Sequence, residues 1–467
     1  MIAFCQPKSM LFKTLYLLTL LSAISVCLSI NEADSVVQEV QDYIKSLDEF
    51  DHEWKRECHI SSDNTCDITG FEQDETTMVF PGGETRCIFS NTPNFAFQVR
   101  VHVLKIFYLL LRYIVSWLNQ VVPGASDKLL FYFQGGGACW DEASTKLHFC
   151  RSRATPLPQL GVFNRQNEKN KFRDHTIVHV LYCSGDVHGG NVIRSYNDRW
   201  GVPVEQKGLA NAQSVLDWTV RQQASGALAS TLSELVIMGC SAGSIGTQLW
   251  GKQVLNTLKW EKAAVVPDSY AGIFPEGATG PLMYDYGFCS SGFLSPELYA
   301  KCMDQTLTME DVDLEMIAAT PTVPYTFIQS KIDVVQRSFF RAVAFTGHYS
   351  DRAMSPAIFY DDINTLFGSY NAHLPNFLVY LVDGHNHCYT PRETFYSTDA
   401  LSPYDNGRNA GGMLHDFIAA LPLNPGQQAC TVCAGEVQGQ QQVTDLPGNA
   451  STSYCSAAMV PKTYVQV

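Results

Sequence analysis

The residue of this sequence best suited to act as a nucleophile is Ser241, set between glycines at the end of an apolar run, Leu235-Val-Ile-Met-Gly-Cys-Ser-Ala-Gly243. The G-x-S-x-G spacing suits a strand that turns sharply into a helix, where the serine takes a strained backbone conformation and its neighbours must be small. Such a turn exposes one hydroxyl at the end of a sheet, beside a helix N-terminus. A hydroxyl attacks an acyl carbon only when a base removes its proton, and an imidazole does this best when a carboxylate fixes its tautomer. Residues for such a set follow Ser241 in order: Asp333 after the apolar stretch Tyr325 to Gln329, then His385 and His387 after Phe377 to Val382. Asp268 also follows an apolar stretch, but so soon after the serine that a structural or substrate-lining role suits it better. Asp383 is nearly adjacent to the histidines, whereas a triad acid normally comes from a different loop, so Asp333 is preferred to both. His385 and His387 form an H-x-H pair that could bind a metal, yet no third ligand accompanies them at a suitable spacing. No metal is therefore expected.

Acyl transfer also needs donors aimed at the oxyanion of the tetrahedral intermediate. Phe133-Gln-Gly-Gly-Gly-Ala-Cys-Trp140 follows an apolar stretch, and its three glycines let the backbone turn N–H groups toward a ligand. With the Ala242 amide they would form an oxyanion hole. A phosphate-binding loop would instead need a following Lys-Ser/Thr, which is absent.

These residues need a scaffold that brings them together. Uninterrupted apolar runs at Lys128 to Phe133, Thr176 to Tyr182, Leu235 to Met238, Ala263 to Val266, Tyr325 to Gln329 and Phe377 to Val382 read as strands buried on both faces. Helical stretches such as Gly208 to Gln222 and Ile245 to Leu258 lie between them. Buried strands alternating with helices imply an α/β fold with a mainly parallel sheet and right-handed crossovers, where chemistry collects at the carboxyl ends of the strands. Residues 35 to 56 space Val36, Val37, Val40, Tyr43, Ile44 and Leu47 as one face of a helix, expected to pack on the outside. Val101 to Val122 is strongly apolar but contains His102, Lys105 and Arg112, too many interruptions for a confident membrane span.

The N-terminus pairs Lys8 and Lys13 with the apolar block Leu15 to Leu28 and small residues around Ser29, the pattern of a secretory signal peptide over 1–29. Fifteen cysteines suit an oxidising compartment; removing Cys5 and Cys27 with the leader leaves an odd thirteen. Short-range pairing candidates are Cys58 with Cys66, Cys139 with Cys150, and Cys430 with Cys433, and the connectivity stays open. Asn449-Ala-Ser451 is a glycosylation sequence in a polar tail. Formal charge is −14, or −16 without the two leader lysines, which argues against nucleic acid and anionic lipid as partners. The expected organisation is an N-terminal extension over 30–86, a catalytic domain over 87–425 with the apolar insertion at 101–122, and a cysteine-containing tail over 426–467. No stable membrane span is expected once the leader is cleaved, and a monomer is expected.

Six short pieces, in order, resemble the pectin acetylesterase and Notum group of carboxylesterases. They are Phe-Gln-Gly-Gly-Gly-Ala-Cys-Trp (133–140), Tyr-Cys-Ser-Gly-Asp-Val-His-Gly-Gly (182–190), Lys-Gly-Leu-Ala-Asn-Ala (207–212), Gly-Cys-Ser-Ala-Gly-Ser (239–244), Ser-Lys-Ile-Asp-Val-Val-Gln (330–336) and Asn-His-Cys (386–388). The resemblance implies an α/β-hydrolase fold, no cofactor, and hydrolysis of an ester on a carbohydrate or a lipidated protein. It implies Ser241 as nucleophile, Asp333 as the acid in the slot before Gln336, and His387, directly before Cys388, as base. It further implies Gly136, Gly137 and Ala242 as oxyanion donors; Trp140, Asp186 and His188 are candidates to line the pocket, with packing an equally good explanation for Asp186 and His188. The expected activity is that of a secreted serine esterase removing small acyl groups, acetyl first, from a polysaccharide such as pectin. The alternatives are a Notum-like deacylase of a lipidated protein and a non-catalytic glycan-binding relative. Two departures stand out: the insertion at 101–122, and Gly137-Ala138 where lipid-cleaving members carry bulky aromatics.

Overall fold

The computed structural model describes residues 34–47, 56–72, 75–101, 127–347, 354–382, 384–401, 409–421 and 432–434. The leader, the insertion after Val101, Asp383, Cys430 and the tail with Asn449 lie outside them.

Six apolar runs anticipated from sequence form the centre of the sheet: β4 (Lys128–Phe133), β5 (Thr176–Val180), β8 (Glu234–Cys240), β9 (Ala263–Asp268), β10 (Tyr325–Ser330) and β11 (Phe377–Val382). They are buried almost without interruption because helices cover both faces. The sheet has ten strands in the order β1-β2-β3-β5-β4-β8-β9-β10-β11-β14, with β1 at Arg56–His59, β2 at Thr76–Phe80, β3 at Phe97–Arg100 and β14 at Val432–Ala434. From β5 to β14 every pairing is parallel, while β3 runs antiparallel to both β5 and β2. A separate antiparallel hairpin joins β6 (Val192–Asn197) to β7 (Pro203–Gln206).

Register sets up the chemistry. Phe133 pairs with Gly239, Cys240 with Asp268, Asp268 with Ile328, and Ser330 with Val382. The last residues of β4, β8, β9, β10 and β11 therefore lie side by side, and the loops that leave them open at one edge. Three strands run longer than their apolar runs, β8 to Cys240, β9 to Asp268 and β10 to Ser330, and β5 stops at Val180. The extra residues carry the chain to the level where the turns begin.

The N-terminal helix covers 34–47, and residues 48–55 lie outside the described set. Val36, Val40 and Ile44 are buried and pack with Trp140, Phe149, Phe339 and Val343. Burial of each such side chain stabilises by about 1.5–3 kcal/mol. The helix packs on the outside, as its amphipathic pattern suggests, and the surface that receives it is the carboxyl edge of the sheet. Glu39 pairs with Arg341, Gln41 Nε2 donates to the Leu147 carbonyl at 2.9 Å, and Arg151 donates to the Leu47 carbonyl at 3.0 Å.

Five disulfides join described residues: Cys58–Cys66 and Cys139–Cys150, both anticipated, and Cys87–Cys183, Cys240–Cys388 and Cys289–Cys302. Such density fits an oxidising compartment. Among the described residues no helix is long and apolar enough to cross a membrane.

One buried carboxyl is isolated from the functional edge. Asp313, on the helix Met309–Ala318, accepts from Tyr370 Oη at 2.8 Å, and its Oδ1 has no partner. Burial pushes it from 3.8 up to about 8. A carboxyl raised on folding contributes stability that is complete below its unfolded value and lost as pH rises toward its folded one. Replacing it with a neutral amide removes that loss. Asp313→Asn should therefore melt progressively higher than the parent protein between about pH 4 and about pH 8, with the gap constant above; thermal melts across this range measure it.

Candidate active site

Strand β8 ends at Cys240, and the helix Ala242–Thr257 begins two residues later. Ser241 bridges them at φ 59° and ψ −123°, an unusual conformation for a residue with a Cβ. The two flanking glycines make that turn sterically feasible. A Cβ on Gly239 would lie 2.2 Å from the Gly243 carbonyl oxygen, and one on Gly243 would lie 2.0 Å from that of Phe133. The Ser241 N–H donates to the Asp268 carbonyl at 2.9 Å. The Ala242 N–H, at the first position of the helix, has no intrahelical acceptor.

Asp333 follows β10 and caps the helix Val334–Thr346. It is fully buried, and its Oδ1 accepts from the Gln336 amide at 2.9 Å. Its Oδ2 lies 2.8 Å from His387 Nδ1 and accepts from Gln336 Nε2 at 3.0 Å. This geometry assigns the Nδ1–H tautomer, leaving Nε2 as the basic nitrogen. That Nε2 is buried and has no partner, and His387 and Ser241 line the same cavity. His385 is exposed, so the H-x-H pair is split between solvent and cavity.

Asp268, the competing acid, faces a different set of donors. Its Oδ2 accepts from the Tyr389 and Thr390 amides and the Thr390 hydroxyl at 2.7–2.8 Å, and its Oδ1 from Ser269 Oγ at 2.7 Å. Ser269 Oγ accepts in turn from the Cys388 amide at 2.9 Å. Asp268 thus anchors the turn that carries His387. The disulfide Cys240–Cys388 ties the residue before Ser241 to the residue after His387.

The glycine loop lies against the elbow: a Cβ on Gly135 would lie 2.4 Å from the Cys240 carbonyl oxygen. Gly137 takes φ 69°, and a Cβ there would lie 2.2 Å from the Phe149 carbonyl oxygen. Gly137 and Ala242 line the cavity beside Ser241 and His387. Gly136 stands behind them, its carbonyl accepting from the Arg151 amide at 2.8 Å. Trp140 lines the cavity and is held by Nε1 donating to Thr346 Oγ1 at 2.7 Å. Asp186 and His188 are buried away from the lining, whereas Val187 between them reaches it. Asp186 accepts from Ser184 Oγ and the Gly208 amide, with burial raising its carboxyl to about 6. Burial lowers His188 to about 4, and the neutral ring lies 2.8 Å from the Gln134 carbonyl through Nε2. Both shape the loop.

Sequence reasoning missed two participants, and the bridging contacts of a third. Gln336 Nε2 bridges Asp333 to Gln329 Oε1, which lies 3.0 Å away. The Cys240–Cys388 pair had a signal, since each cysteine is adjacent to a candidate catalytic residue. Tyr43 had none: its hydroxyl lies 3.3 Å from Ser241 Oγ across 198 residues of sequence.

Because the disulfide joins the strand leading to Ser241 to the turn carrying His387, Cys240→Ser with Cys388→Ser should weaken both stability and reactivity. Denaturant unfolding should show a loss of about 2–4 kcal/mol. Phosphonylation of Ser241 by a fluorophosphonate should slow even where the protein is fully folded.

The sequence model of the Pectinacetylesterase family matches residues 117–317. Comparison with curated proteins finds no match. Similar solved structures include two crystal forms of the Wnt deacylase Notum from Drosophila. One is 14% identical, covering 69% of this chain and 88% of that one; the other is 15% identical, covering 76% and 96%. The TM-score is 0.46 for both, too low for anything about substrate to pass from them to this chain. The matched stretch includes the glycine loop and the serine elbow, and over it the chain is similar to the pectinacetylesterase family.

Proposed function

We propose that the protein is a secreted serine carboxylesterase that removes a short acyl group, acetyl first, from a carbohydrate. The observation that carries this reading is the 2.8 Å contact between Asp333 and His387 Nδ1, with the unpartnered Nε2 and Ser241 on one cavity. His387 Nε2 takes the Ser241 proton as Oγ bonds to the acyl carbon, and the amides of Gly136, Gly137 and Ala242 receive the oxyanion. The carbon–alkoxy bond then breaks and the imidazolium returns the proton to the departing alcohol. Water repeats the sequence to release the acid. Asp333 remains ionised and stabilises the imidazolium.

Cavity size supports a short acyl group. The cavity beside Ser241 and His387 has a volume of about 60 Å³. The leader over 1–29 and the five disulfides support secretion.

A longer acyl group is the second reading, favoured by the apolar walls. Ile245, Leu282, Met283 and Val343 surround the cavity, and Phe274 and Met309 also border a neighbouring one. Displacement of Phe274 and Met309 would join the two spaces.

Ser241→Ala should reduce 4-nitrophenyl acetate hydrolysis by about 10⁴-fold or more while leaving the melting temperature unchanged. Unchanged turnover would refute the nucleophile. Acetyl esters should be cleaved faster than octanoyl esters; the reverse order selects the second reading. Acetate release from a panel of acetylated glycans then identifies the substrate.

A further inference from the structure

Helix 34–47 lies outside the framework that carries Ser241, Asp333 and His387, yet it brings a hydroxyl to the reacting atom. Tyr43 Oη donates to Ser241 Oγ at 3.3 Å. The phenol ring stands edge-on to the His387 imidazole, with centroids 5.4 Å apart and planes at 83°, and edge-on to Phe339 at 6.1 Å. Contacts on three sides hold the helix in place. Val36, Val40 and Ile44 are buried beneath it, Glu39 pairs with Arg341, and Arg151 holds the Leu47 carbonyl. Ile44 also packs against Gly137 of the glycine loop. Burial pushes the Tyr43 phenol above its ordinary range and the Asp333 charge pushes the same way, against the pull of the Ser241 hydrogen bond. The phenol keeps its proton and remains a donor.

A serine oxygen has two lone pairs, so Ser241 can accept from Tyr43 and still give its own proton to an imidazole. A donor there weakens the attacking oxygen in the free enzyme. It helps most when the oxygen departs with charge developing on it.

We propose that Tyr43 is a further catalytic residue of this site, donating to Ser241 Oγ as that oxygen leaves the acyl group during deacylation. The proposal rests on Ser241 being the nucleophile. In this step His387 Nε2 takes a proton from water, and the water oxygen bonds to the acyl carbon. The tetrahedral intermediate collapses, the carbon–Oγ bond breaks with its electron pair going to Oγ, and the imidazolium proton passes to Oγ. The carboxylic acid departs. Histidine supplies the proton while Tyr43 supports the charge.

Pre-steady-state hydrolysis of 4-nitrophenyl acetate by Tyr43→Phe tests this. The expected result is a stoichiometric burst followed by steady-state turnover about tenfold slower than the parent enzyme, the scale of one hydrogen bond to a developing charge. The acetyl-enzyme should accumulate by intact mass, and the melting temperature should not change. A purely structural role would instead move the melting temperature and leave the deacylation rate alone. Should Tyr43→Phe release the helix, 3-fluorotyrosine and 3,5-difluorotyrosine at position 43 keep the ring and the hydroxyl. Deacylation should then rise with phenol acidity, and a flat series overturns the proposal. If a fluorophosphonate fails to label Ser241 in the parent enzyme, the nucleophile falls and this proposal falls with it. If Ser241 is labelled and Tyr43→Phe deacylates at the parent rate, this proposal alone is overturned.

Discussion

One residue at the end of the fourth parallel strand, Asp268, fixes where a histidine can stand relative to Ser241. Its backbone carbonyl accepts the Ser241 N–H, while its carboxylate accepts two amides and a hydroxyl from Tyr389 and Thr390. Through Ser269 it also holds the Cys388 amide. Ser241 and the turn that carries His387 are thus referred to a single rigid point. Burial raises this carboxyl above its ordinary value, and the donors gathered on it oppose that cost. A buried carboxylate with its oxygens so fully engaged is difficult to move, which is what a proton-transfer geometry requires. The Cys240–Cys388 bond restrains the same two segments covalently.

The parallel sheet makes this convergence natural. Side-by-side strands in register deliver their carboxyl ends to one edge, so loops far apart in sequence meet without long excursions. The glycine loop, the elbow, the Asp333 turn and the His387 turn leave adjacent strands. Gln336 adds a lateral restraint by bridging Asp333 to Gln329. The helix 34–47 then closes the edge from outside, placing Tyr43 against Ser241 and Ile44 against the glycine loop. Access to Ser241 therefore depends on an element contributed by residues that precede the whole sheet.

Much of this was legible beforehand because it is local. An uninterrupted apolar run predicts a strand buried on both faces, and all six anticipated runs match observed strands to within two residues at either end. The serine elbow is a local steric requirement, written in Gly239 and Gly243. Chain order alone singled out Asp333 over Asp268, and the contact at His387 Nδ1 follows that preference. The cysteines at 58 and 66 and at 139 and 150 could be paired because their loops are short.

What lay beyond the sequence was how distant segments pack on one another. Periodicity revealed which face of helix 34–47 is apolar but not which surface receives it, because the same stripe would suit any exposed apolar patch. Asp186 and His188 occupy a loop beside the cavity, yet only packing decides that they point into the interior and leave Val187 at the lining. Asp268 and Asp333 are chemically identical carboxylates after equivalent strands; the donors that surround each, fixed by strand order and register, set their different roles. The sequence by itself determined the strands, the elbow and the chemical types available, since those follow from sterics and hydrophobic pattern within a few residues. Only the tertiary structure decided which hydroxyl, carboxylate and imidazole meet, because hydrogen-bond geometry depends on positions that the chain reaches only after its strands have paired.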